Sequence, residues 1–184
     1  SSVECREVTS TTRSAANAVD MFSFWPSDAA PTHLIACIEG GRSQLTGDAD
    51  TSAYAPGDKF NPSVQRIDLA TGAVETILRG MTACDGIRTT PWGTVLATEE
   101  TDDGGAYEIL DPLAITNHTI KDRATGEIVD AAGATVTTAI AKRTALPTIA
   151  WEGLDITHDG VVYAGDEERP GTTADGGGST NDRD

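Results

Sequence analysis

The chain has 184 residues and a net charge of −16, with 38% hydrophobic residues and 19 glycines. That length is enough for one domain with a real core. The acidic balance argues against binding nucleic acid by phosphate neutralisation, and no run approaches the ~20 apolar residues that a membrane span needs.

Hydrophobic content below the ~45–50% usual for soluble domains, with abundant Gly, Thr and Ala, predicts many short strands and turns: an all-β fold over 1–184. Residues 1–20 are polar. Met21-Phe-Ser-Phe-Trp-Pro reads as a short anchoring strand with Trp25 in the core, because large aromatics dominate core energetics. His33–Glu39 is apolar, short and bounded by turn signals, so it reads as a buried strand. Residues 43–62 form a long acidic loop whose spacing matches no EF-hand. Ser63–Leu69 and Ala73–Leu78 each alternate with period two around a Gly turn, which predicts a hairpin.

The stretch Met81–Asp103 carries the most chemistry. Cys84-Asp85-Gly86 sets a soft and a hard ligand side by side. Thr90-Pro-Trp-Gly-Thr is a rigid lead-in to the apolar strand Val95–Thr98, which ends in Glu99 and Glu100. Successive side chains of a strand point to opposite faces, so these two glutamates cannot both enter one core. With Asp102 and Asp103 they make four acids with no nearby Lys or Arg. Hard cations relieve such repulsion through oxygen ligands; a solvated acidic loop is the alternative.

Ala106–Leu110 is a further strand, and 119–129 a weak hairpin. The Ala/Thr-rich run 131–141 fits either a strand pair or a short helix. Gly153–Thr157 and Val161–Ala164 flank His158-Asp-Gly, a strong hairpin signal. Glu152 precedes one strand; Asp166 and Glu167 follow the other, so these three acids gather at one end of the hairpin. His158 lies at the opposite end. Residues 170–184 are a polar tail.

Three cysteines leave one over if a disulfide forms. The expected pair is Cys5 with Cys37, leaving Cys84 as a free thiol, a metal ligand or an intermolecular bond. No phosphate-binding loop, no serine-hydrolase elbow and no His-Glu-x-x-His occurs. Three histidines, none spaced with another, make a zinc site a poor reading.

The run from Cys84 to Glu100 resembles the Cys…Thr-Pro-Trp-Gly-Thr…Glu-Glu signature of the PhoX-type alkaline phosphatase family, with Asp85 where that family usually has a small residue. Trp151–Glu167 resembles the family's second acidic block. The resemblance spans roughly 33–178 and implies a β-propeller of four-stranded antiparallel blades, whole or in part, with calcium and iron at its centre. It implies a phosphate monoester as substrate and a secreted, periplasmic or cell-surface location. Cys84 would be the iron-ligating cysteine. Glu99, Glu100, Glu152, Asp166 and Glu167 would be metal ligands, and Arg88 and Arg169 would hold phosphate oxygens. A propeller needs 4–8 blades and this chain has strands for two or three, so another chain or further sequence would complete it. A noncatalytic, calcium-stabilised secreted propeller with a structural or surface-assembly role is the alternative.

Overall fold

A computed structural model describes residues 18–42 and 60–167. Their strands are β1 (Ala18–Trp25), β2 (His33–Glu39), β3 (Pro62–Asp68), β4 (Val74–Arg79), β5 (Cys84–Thr89), β6 (Val95–Glu99) and β7 (Ala106–Ile109). They continue with β8 (His118–Asp122), β9 (Glu127–Val129), β10 (Thr135–Val136), β11 (Ile140–Lys142), β12 (Trp151–Ile156) and β13 (Val162–Asp166). The described residues contain no helix, and thus none long and apolar enough to cross a membrane.

The strands form three sheets. A seven-stranded sheet runs β1-β2-β3-β4-β8-β9-β10, a four-stranded sheet β11-β7-β6-β5, and β12-β13 stand as a pair. All pairings are antiparallel except β4 with β8. None of the sheets closes on itself, so the all-β expectation holds while a propeller is not formed by the described residues. The predicted hairpins are present as β3–β4, β8–β9 and β12–β13. The Ala/Thr-rich run becomes two short strands in different sheets: β10 pairs with β9 and β11 with β7. That segment carries the chain from one sheet to the other, which explains why it shows no single period. The polar tail from 170 and most of the 43–62 loop lie outside the described residues.

The inner faces of the two larger sheets share one apolar cluster. Ile35, Val64, Ile77 and Ile120 from the seven-stranded sheet meet Ile87, Val95, Tyr107 and Ile109 from the other, and Trp25 packs against them. A Cys37–Cys84 disulfide joins β2 to β5 within this cluster. The expected Cys5–Cys37 pairing is therefore corrected. Cys37 and Cys84 sit on facing strands, while Cys5 lies outside the described residues. A second, smaller cluster of Leu96, Ala106, Trp151 and Leu154 seats the β12–β13 hairpin on the outer face of the four-stranded sheet.

The Thr90-Pro-Trp-Gly-Thr motif is the turn between β5 and β6. Gly93 N–H donates to the Thr90 carbonyl, and Thr90 N–H donates to the Thr94 carbonyl. Gly93 has a φ of 85°, a conformation glycine adopts without steric cost. Trp92 stays half exposed, its indole N–H donating to Glu108 at 2.7 Å. The motif is a local fastening.

Candidate cation site

Three backbone devices bring the two acidic blocks together. Glu100 bridges to Ala150 just beyond the end of β6. Ala150 also accepts the Glu167 N–H at 2.8 Å. The irregular register of β12 at Gly153, whose φ is 67°, turns its N–H toward Asp85 Oδ2 at 3.1 Å. Together these place Asp85, Glu100 and Glu152 so that one carboxylate oxygen of each lies within 4.8 Å of the others. Asp85 is buried, Glu100 half-buried and Glu152 exposed, so the group descends from the surface toward the core.

The electrostatics are those of crowded acids. Burial pushes the Asp85 carboxyl up to about 6; the Gly153 N–H opposes this, while Asp20 and Glu152 add to it. Burial likewise lifts Glu100 to about 8, with Glu167 as hydrogen-bond partner and Glu152 and Asp85 as repelling neighbours. Like charges at such range cannot all ionise without a compensating cation. Five acids from β1, β5, the end of β6, β12 and the end of β13 thus share one rim.

The expected ligands divide. Glu100 and Glu152 come together, and Glu167 adjoins them through Glu100. Asp166 stands opposite Trp151 at the same end of the hairpin, exposed and outside the three-carboxylate group. Glu99 is corrected: as strand alternation requires, it points away from Glu100 and is wholly buried. There it pairs with Arg123 at 2.8 Å and accepts the N–H groups of Thr82 and Gly105. Its oxygens are satisfied and its charge is neutralised, so it has no role as a cation ligand. Cys84 is corrected for a covalent reason, because a sulfur bonded to Cys37 is not the thiolate that iron binding needs. Arg88 does not face the cluster. It pairs with Asp155 at 3.4 Å toward the other end of β12. Arg169 lies outside the described residues.

Asp85 was marked in the sequence as a hard ligand beside Cys84, but the resemblance gave it no role. Asp20 carried no sequence signal, since only the crossing of β1 beside β5 brings it near. No family model, curated protein or solved structure matches this chain.

Proposed function

We propose that this chain is a β domain of an exported, calcium-dependent phosphomonoesterase of the PhoX type. The four-stranded sheet β11-β7-β6-β5 would be one blade of a propeller completed by further strands. The observation that carries the reading is the convergence of Asp85, Glu100 and Glu152 from sequence blocks more than fifty residues apart. An all-carboxylate donor set suits a hard cation that takes six to eight oxygens, and Glu167 and Asp20 stand close enough to extend it. Bound there, calcium would invert the local charge and polarise a phosphoryl oxygen. The protein's part is to hold three carboxylates at one point and to keep Asp85 shielded from water. The donor set does not fit iron, since Cys84, the cysteine of this block, is in a disulfide, and no iron chemistry is carried forward. The disulfide, which favours oxidising compartments, supports export.

A second reading is favoured by a specific observation. Among the described residues the ionic contacts place no Lys or Arg against the three-carboxylate group, and Arg88 is engaged elsewhere. A structural calcium that locks the β12–β13 hairpin without catalysis meets the same geometry. Hydrolysis of p-nitrophenyl phosphate at alkaline pH, with and without EGTA, separates the two. Chelator-sensitive turnover that Glu100→Gln abolishes is the expected result. A chelator-sensitive melting temperature with no turnover overturns the enzymatic reading in favour of the structural one.

A further inference from the structure

At the far end of β12 from the acidic cluster, a groove of about 660 Å³ runs between the end of β1, the β5–β6 turn and the β12–β13 hairpin. Its floor has two phenylalanines on one face of β1. Phe22 is 49% exposed, and Phe24 holds its ring edge-to-face at 6.1 Å and 72°. Its walls are polar. Arg88 and Asp155 pair across it, Asp28 and Ser27 line one side, and His158 lies at the hairpin turn. Arg88 Nη1 donates to the Ile87 carbonyl and Nε faces Asp155, which leaves Nη2 without a hydrogen bond among the described residues.

The lining discriminates between ligand classes. Besides His158, the groove holds one cation and two carboxylates, on a protein of net charge −16. A phosphate or carboxylate would therefore meet repulsion. A purely apolar ligand would strip water from Asp28, Asp155 and Arg88 without replacing those hydrogen bonds, which costs more than the apolar contact gains. A neutral polyhydroxylated ligand meets neither penalty. Its hydroxyls both donate to carboxylates and accept from a guanidinium. Its polarised C–H face packs on an aromatic ring, whose face is negative. We propose that this groove is a saccharide-binding subsite, with Phe22 as the stacking platform and Arg88 and Asp155 as the paired hydroxyl readers. The site is separate from the cation cluster and does not rest on the phosphatase reading.

Saturation-transfer NMR on the 184-residue chain with maltotriose, cellotriose, chitotriose and xylotriose tests it. At least one trisaccharide is expected to take up saturation. Phe22→Ala should weaken its binding about three- to tenfold, the range that loss of an aromatic contact spans, and Arg88→Met should weaken it further. Tyr163→Ala is the control, because that side chain is 62% exposed and lies outside the groove. Phe22 is half exposed and Arg88 one-third exposed, and near-UV circular dichroism verifies that both variants fold. The proposal is overturned if no trisaccharide binds, if binding survives both substitutions, or if inorganic phosphate displaces the sugar.

Discussion

Glu99 and Glu100 are adjacent in sequence and opposite in fate. Glu99 enters the core, where Arg123 reaches it from 24 positions along the chain and also contacts Asp103 at 2.7 Å. Burial alone would lower the Arg123 pKa, but its hydrogen bonds to Glu99 and Asp103 raise it on balance. Removing one partner of a buried pair leaves the other charge uncompensated, which costs about 3–5 kcal/mol. Arg123→Met should therefore lower the urea midpoint severely, whereas Glu100→Gln should be neutral or stabilising in a chelator. Comparable midpoints for the two variants would contradict this division of labour. The alternation that separates the two glutamates was legible in the sequence. Which of them turned inward was not, because the deciding partner, Arg123, sits in a hairpin that gave only a weak signal. The Cys37–Cys84 bond was hidden for the same reason: spacing along a chain does not say which strands face each other.

At the scale of elements, the β12–β13 hairpin brings Glu152 to the candidate site. Its turn chemistry made it plain in the sequence, and so did the gathering of Glu152 and Glu167 at one end. The sequence did not show its seat. Trp151 and Leu154 pack on Leu96 and Ala106, and Trp151 donates to the Gly104 carbonyl. Gly153 makes the kink that lets both Leu154 and the Asp85 contact form. A Cβ there would meet no atom within 4 Å, so the cost of Gly153→Ala is conformational alone. A left-handed backbone with a side chain costs about 1–2 kcal/mol. The variant should melt roughly 2–8 °C lower, since each kcal/mol shifts a protein of this size by about 2–4 °C. It should also bind calcium more weakly, as isothermal titration would read, because strain at position 153 displaces the backbone N–H that the Asp85 oxygen accepts. Unchanged calcium affinity would show that the kink does not set the cluster.

For the whole molecule, the acid cluster sets a pH dependence. Asp85 and Glu100 have folded-state values near 6 and 8, above their ordinary values of 3.8 and 4.5. Groups raised in the folded state contribute stability that is complete below the unfolded value and lost as pH rises through the folded one. The opposing groups include Asp103, lowered by its hydrogen bonds to Arg123, and Glu108. Burial raises Glu108, but hydrogen bonds from Thr94, Trp92 and Arg143 more than offset that. Their contribution is lost only as pH falls below the ordinary carboxylate range. In EGTA the melting temperature should therefore decline between about pH 5 and 8. Millimolar calcium should flatten the decline by keeping the cluster ionised. A flat profile in both buffers would remove the cluster from the energetics.

The staple between β2 and β5 has one more effect. Its two ends are 47 positions apart, so residues 38–83 form a covalently closed ring with the rest of the chain as two tails. A single proteolytic nick anywhere in that ring sheds no fragment. The cleaved protein should run as one band on a non-reducing gel and split into two once dithiothreitol is added.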